Sequence, residues 1–164
     1  MTAPRIGSGL DVHPFDADTD RPLVLCGVRI SSASGLAGHS DGDVGAHAIA
    51  DALLGAAALG DLGERFGVDE PDTAGADSMG LLAQVVADVE AAGWTIGNVD
   101  LTLVAERPRL APHRPAMRAA VAEVCHLDVG AVSVKYTTTD GLGTLGRGEG
   151  IAAWCSGLLL PAAG

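Results

Sequence analysis

The apolar positions of this chain change period several times along its length. Between residues 43 and 59, Val44, Ala48, Ala52, Leu53, Ala56 and Leu59 recur near the 3.6-residue spacing of a helix, and Gly60 is a natural stop. A second helical stripe, Leu82, Val85, Val86 and Val89, is opened by Asp77 or Ser78 as a cap and closed by Gly93. A third helix over 114–125 is organised around Met117, Val121 and Val124. Strand-like runs occupy residues 5–15, ending at Pro14, and residues 23–30, where Gly27 reads as a bulge within one strand. In residues 98–106, Val99, Leu101 and Leu103 oppose Asp100, Thr102 and Val104, the alternation of a strand with one buried face. Val132, Val134 and Tyr136 alternate likewise, and an apolar run follows at 151–160. The Ser/Gly-rich 31–42, residues 61–76, the stretch punctuated by Pro108 and Pro112, and the glycine-rich 141–150 read as connections.

The order ββααβαββ mixes strands and helices without strict alternation. It predicts an α+β fold, a mixed β-sheet with helices packed on one face, in a single domain over 1–164. The bare sheet face then needs cover, which a closed trimer of sheets would supply. With aromatics at 3%, the core must be aliphatic. No apolar run approaches the ~20 residues of a membrane helix, and MTAPRIGSG lacks the apolar segment of a secretory signal. Cys26, Cys125 and Cys155 have no paired spacing. They are expected as small buried apolar residues in a reducing cytoplasm, not as disulfides or a zinc site. Ten basic residues against 21 acidic ones give a net charge of −11, without the basic footprint of a nucleic-acid binder. An acidic chain of this kind repels phosphorylated ligands unless metal ions or local arginines intervene.

Such an ion has candidate ligands. Asp11 and His13 form an Asp-x-His on the first strand, where alternation sends both side chains to one face. His47 lies on the first helix, with Asp43 four residues before it and Asp51 four after, a polar stripe along an otherwise apolar helix. One Asp and two His are a zinc-type set that leaves a fourth position open for substrate. A carboxylate one turn away is placed to orient His47 through its other ring nitrogen. The same residues also read as a solvated helix face beside a loop. Just upstream, Ser40 or Asp41 is a candidate helix cap, and His39 and Ser40 are candidates to meet a phosphate at the helix N-terminus.

Further along, Thr137, Thr138 and Thr139 place three adjacent hydroxyls at a strand end before Asp140. They are either donors to phosphate or an expression of β-branched strand preference. Gly141 to Gly146 spells a literal G-x-G-x-x-G, but a strand-like run follows instead of a helix, so the dinucleotide reading fails. Arg147 and Glu149 read as a local ion pair or an anion site in a tight turn.

Five segments carry a resemblance: GLDVH at 9–13, HSDGDVGAHAIADALLGAAALGDLG at 39–63, GADS at 75–78, GNVDLTLVAERPRLAPH at 97–113 and KYTTTDGLGTLGRGEGIA at 135–152. In this order they closely resemble the 2-C-methyl-D-erythritol 2,4-cyclodiphosphate synthases of non-mevalonate isoprenoid biosynthesis. The resemblance implies a homotrimer with active sites between adjacent subunits. It implies conversion of 4-diphosphocytidyl-2-C-methyl-D-erythritol 2-phosphate to the cyclic diphosphate and CMP. Asp11, His13 and His47 would bind a zinc-type ion, and a magnesium or manganese ion would bridge the α- and β-phosphates, with Asp140 at its position. His39 and Ser40 would lie near the methylerythritol phosphate, and Asp61 and Gly63 would hold the erythritol. Ala105, Pro108, Arg109, Leu110 and Ala111, with Thr137, Thr138 and Thr139, would line the cytidine diphosphate pocket. His39 and Thr138 match positions credited with transition-state stabilisation. Leu145 and Arg147 would face an axial cavity able to hold an isoprenoid diphosphate.

The chain departs from the family pattern at Phe66-Gly67-Val68-Asp69-Glu70-Pro71, where Val68 replaces an acid. Asp140 stands for a glutamate, one methylene shorter, and Leu145 for a common aromatic. Two other readings compete: a metal-dependent phosphoesterase using water as nucleophile, and a non-catalytic trimer that binds isoprenoid diphosphates.

Overall fold

The computed structural model describes residues 3–18, 20–67 and 75–162. Six strands and five α-helices occur among them: β1 (Arg5–Pro14), β2 (Leu23–Leu25), β3 (Val28–Ile30), α1 (Val44–Ala57), α2 (Leu62–Phe66), α3 (Ser78–Ala91), β4 (Trp94–Val104), α4 (Arg114–Val124), β5 (Val132–Thr137), α5 (Gly143–Gly146) and β6 (Gly150–Pro161). The main sheet has the order β1-β6-β4-β5. β6 is antiparallel to both β1 and β4, and β4 runs parallel to β5. β1, β4 and β5 therefore point the same way, and their C-terminal ends share one end of the sheet.

Why the helices lie on one face follows from strand alternation. Val99, Leu101 and Leu103 of β4 and Ile151, Ala153, Cys155 and Leu159 of β6 are wholly buried. They meet Ile49 and Leu53 of α1, while Leu82, Val85 and Val86 of α3 and Met117 and Val121 of α4 complete the same core. β1 contributes almost no side chain there. A Cβ on Gly7 would sit 2.0 Å from the Ala52 carbonyl oxygen, and one on Gly9 2.0 Å from that of Ala48. Only glycine lets the α1 backbone approach β1 this closely. Among the described residues, no helix covers the opposite sheet face. Ile6, Leu10, Val12 and Trp154 stand out from it, Trp154 being 56% exposed, a contiguous apolar surface of the kind that marks an interface.

Residues 23–30, expected as one strand, form the hairpin β2–β3, with Leu23 opposite Ile30 and Leu25 opposite Val28. Cys26 and Gly27 adopt φ of 51° and 72°, the pair of positive values a two-residue hairpin turn requires, so Gly27 is a turn residue and not a bulge. Residues 61–76 are expected as a loop, and their described part contains α2, a short helix whose Asp61 cap accepts from Glu64 N–H at 2.8 Å. The strand expected over 98–106 begins at Trp94, with a register shift between Ile96 and Asn98. The glycine-rich 141–150 holds the one-turn α5. Asp77 caps α3 and accepts from Met79 N–H, as its position promised. All three cysteines are free and buried, and burial pushes the Cys125 and Cys155 thiols up to about 12. No helix among the described residues is long and apolar enough to cross a membrane.

Candidate active site

Gly7, Gly9, Asp11 and His13 occupy alternate positions of β1 and share the face turned to α1. The two glycines bring the helix onto the strand, and the next two alternate positions then meet the first turn of α1, which carries His47. Asp11 Oδ2 lies 2.9 Å from His13 Nε2 and 2.9 Å from His47 Nδ1, and the two rings stand 5.3 Å apart. His13 is fixed from behind, because its Nδ1 donates to the Ala37 carbonyl at 2.5 Å. Burial alone would raise the Asp11 carboxyl, but hydrogen bonds and the charge of His13 and His47 outweigh it and hold the group well below the usual carboxylate range. The Asp11 hydrogen bond is also the main cause that raises His13 above the ordinary imidazole value.

Three ligand atoms from Asp11, His13 and His47 all lie within 4.8 Å of one another. A tetrahedral ion with N and O ligands at ~2.0–2.1 Å separates its donors by about 3.3 Å. The corner therefore needs only small adjustments to hold a divalent ion, and the carbonyl behind His13 is the support such ligands usually receive. The corner opens into a pocket of about 350 Å³, also lined by His39, Ser40, Asp51, Leu62, Gly63 and Phe66.

Two carboxylates expected to orient His47 do other work. Asp43 is fully buried and caps α1, accepting from Gly45 and Ala46 N–H. It also accepts from Cys26 and Gly27 N–H at 2.8 and 2.7 Å, which ties the β2–β3 turn to the helix. Burial raises its carboxyl, and these backbone donors oppose the rise. The helix cap is thus Asp43, not Ser40 or Asp41. Asp51 accepts from Leu62 N–H at 2.9 Å and anchors α2. What meets the outer nitrogen of His47 is Ser78 Oγ at 2.9 Å and Ser40 Oγ at 3.1 Å. From sequence Ser78 and its partner Asp41 read only as caps, and the signal at Ser78 is its place in the GADS segment.

The loops that carry Ala105 and Thr137 to Asp140 leave the far edge of the same sheet end. Val104 pairs with Thr137, and Ala105 N–H donates to the Thr137 carbonyl at 3.0 Å, so the 105–111 and 137–140 loops leave the sheet side by side. Glu106 binds them together, accepting from Thr139 N–H at 3.0 Å, Thr139 Oγ at 3.3 Å and Gly141 N–H at 3.3 Å. Leu110 and Ala105 are buried, Arg109 is exposed, and the Arg107–Pro108 bond is cis. Thr138 is exposed, its hydroxyl 3.3 Å from Asp140 Oδ1. Pro108 lines a separate cavity of about 420 Å³ with Phe15, Ser34 and Arg107. Arg147 is exposed and pairs with Glu149 at 2.6 Å, while Leu145 borders a small recess with Val12. β1 and β5 are opposite edges of the sheet, about 14 Å apart at ordinary strand spacing. Within one chain, Thr137, Thr138 and Thr139 do not line the Asp11–His47 pocket. The Val68–Pro71 departure lies outside the described residues.

A model of the YgbB family matches residues 4–160. The chain belongs to the YgbB family. Among relatives, the 2-C-methyl-D-erythritol 2,4-cyclodiphosphate synthase of Salmonella dublin is 52% identical over 161 residues, covering 97% of this chain and 99% of its own. The synthase of a Pseudomonas putida strain is 54% identical over 159 residues, covering 96% and 99%. Among solved structures, the bifunctional IspDF from Campylobacter jejuni superposes with a TM-score of 0.91 at 42% identity, over 96% of this chain and 42% of that one. The CDP complex of IspF from Plasmodium falciparum gives a TM-score of 0.86 at 30% identity, over 99% of both chains. The YgbB match therefore takes in the Asp11–His13–His47 corner and the paired loops at the other edge together.

Proposed function

We propose that this chain converts 4-diphosphocytidyl-2-C-methyl-D-erythritol 2-phosphate to 2-C-methyl-D-erythritol 2,4-cyclodiphosphate and CMP. The observation that carries the reading is the donor set of Asp11, His13 and His47 at the head of a pocket, in a chain aligned with named synthases over nearly its whole length. An oxygen of the substrate's own 2-phosphate forms the new bond to the β-phosphorus. The bond from that phosphorus to the α–β bridging oxygen breaks, and the electron pair leaves with CMP. No water is consumed and no protein nucleophile is required, so the protein's task is positioning and charge stabilisation.

In this reading Asp11, His13 and His47 hold a zinc-type ion, which supplies positive charge to the β-phosphate when bound. His39 and Ser40, on the same pocket, face the methylerythritol phosphate, and His39 stabilises charge in the transition state. Gly63 offers its backbone to the erythritol, and Asp61 presents that backbone by capping α2. The backbone of Ala105, Pro108, Arg109, Leu110 and Ala111 takes the cytosine. Thr137, Thr138 and Thr139 donate to the diphosphate, and Asp140 holds magnesium or manganese.

Because Thr138 stands at the opposite sheet edge from His13, these roles meet only if a second copy supplies the loops. A homotrimer with sites between subunits satisfies this, and the exposed apolar face of β1 and β6 supports it. Light scattering should return three chain masses. Leu145 and Arg147 would then face the axis, where an isoprenoid diphosphate displaces Glu149 from Arg147. Native mass spectrometry with such a ligand tests that role. The free, buried thiols suit a reducing cytoplasm.

The decisive assay supplies the substrate with zinc and magnesium in ¹⁸O-labelled water. CMP and the cyclic diphosphate should appear without solvent oxygen. Labelled monophosphate products would establish a phosphoesterase instead, and absence of turnover would leave only a binding role.

A further inference from the structure

The contacts behind His47 point to residues that act on the metal corner without touching the ion. His47 Nδ1 belongs to the donor set with Asp11. Its Nε2 turns the other way, 2.9 Å from Ser78 Oγ. Ser78 is only 1% exposed. Its hydroxyl is 2.5 Å from Asp41 Oδ1, and its main-chain N–H donates to Asp41 Oδ2 at 3.3 Å. Asp41 is held in turn, because its Oδ1 accepts from Asp43 N–H at 3.1 Å, at the cap of α1.

A serine hydroxyl has one proton to give, and a carboxylate only accepts. With that proton directed to Asp41, Ser78 Oγ faces His47 as an acceptor. The imidazole tautomer that fits carries hydrogen on Nε2 and leaves the Nδ1 lone pair free for the donor set, which is what ligation demands. Ser40 Oγ lies 3.1 Å from both Nε2 and Ser78 Oγ and accepts from Gly42 N–H, but the carboxylate of Asp41, at the shorter distance, is the stronger acceptor for the Ser78 proton, and it is Ser78 that joins the ring to a carboxylate.

We propose that Asp41 and Ser78 form a relay that fixes His47 as an Nδ1 ligand: Asp41 accepts the Ser78 O–H, and Ser78 accepts the His47 Nε2–H. The inference rests on the metal reading above. Both are positioning residues. Ser78 opens α3 and Asp41 precedes α1, so the relay also ties the two helices to the orientation of one ring.

Ser78→Ala keeps the Asp77 cap and removes only the hydroxyl. Zinc alone is titrated into the full chain against a chromophoric chelator. Ser78→Ala and Asp41→Asn should each weaken zinc binding by about 10–100-fold, the usual effect of losing a partner behind a metal ligand. The double variant should bind no more weakly than the worse single one, because the two act as one unit. In the zinc-loaded wild type, the His47 Nε2–H should give a proton resonance protected from water, and Ser78→Ala should lose that protection. Unchanged affinity and an unchanged resonance in Ser78→Ala would overturn the relay, as would additive losses in the double variant. A wild-type chain that takes up no zinc would instead overturn the metal reading beneath it.

Discussion

The two ends of the candidate site are built on opposite principles. At the β1–α1 corner, ligand side chains are half-buried and fixed from behind, His13 by the Ala37 carbonyl and His47 by two serine hydroxyls. At the β4–β5 edge, Thr137, Thr138 and Asp140 are exposed, and the loops are joined through the carboxylate of Glu106. The contrast teaches that an ion and a nucleotide ask different things of a fold. An ion needs donors whose spacing is set before it arrives. A diphosphonucleoside bound through backbone and hydroxyls needs groups left open, held by little more than their own loop.

The largest way to break this contrast is His13→Ala. It should remove bound zinc and reduce turnover to background while leaving the fold intact, since the ring borders a pocket. Elemental analysis with far-UV circular dichroism checks both halves. Gly9→Ala comes next. The new Cβ would meet the Ala48 carbonyl oxygen at 2.0 Å, and neither backbone can yield cheaply. Stability should fall by about 1–3 kcal/mol or more, as overpacking of a close contact does, and zinc should be lost with it. Urea unfolding at fixed zinc measures the pair of effects. Gly130→Ala, with nothing within 4 Å of its Cβ, is the neutral control.

Glu106→Ala addresses the other end. It removes three hydrogen bonds at a partly exposed site and should cost no more than about 1.5–3 kcal/mol of stability. Zinc content should stay unchanged while KM for the cytidine substrate rises. A loss of zinc in this variant would mean that the two ends are not separable.

The smallest effect is a titration. In metal-free protein, NMR should place the His13 midpoint above the ordinary ~6.5, and Asp11→Asn should bring it back down. A raised folded-state value means that this group's contribution to stability is complete below ~6.5 and fades as pH rises through the higher midpoint. With zinc present the dependence reverses. The ion needs the unprotonated nitrogen, so occupancy should grow over the same rise in pH.

Much of the corner was legible in the sequence. A period of two puts Asp11 and His13 on one face, and the apolar period of α1 places His47 on the surface that meets it. Asp43 is ambiguous in sequence because a helix cap and a ligand-orienting carboxylate both fit an acid four residues before a histidine. What decides between them is the Cys26–Gly27 turn, and contacts across such separations leave no trace in periodicity. That turn was itself hidden, because a cysteine at positive φ is rare. Ser78 lies 31 residues from His47 and was invisible as its partner for the same reason. α2 is too short to show a stripe. The 105–111 and 137–140 loops were found as motifs, but that they leave one sheet edge together depends on the parallel pairing of β4 with β5.

Gly7 and Gly9 have a consequence for precision. With no β1 side chain between strand and helix there, the spacing of the two backbones beneath Asp11 and His47 is set by close main-chain contact. Side chains hop between rotamers, but a contact of backbone on backbone has no rotamer to change. The strand and helix act as a gauge block, machined once by the two glycines. Drift among the leucines and valines of the core can change how firmly the block is clamped, while the strand-to-helix spacing from which Asp11, His13 and His47 project is held by the glycine contacts.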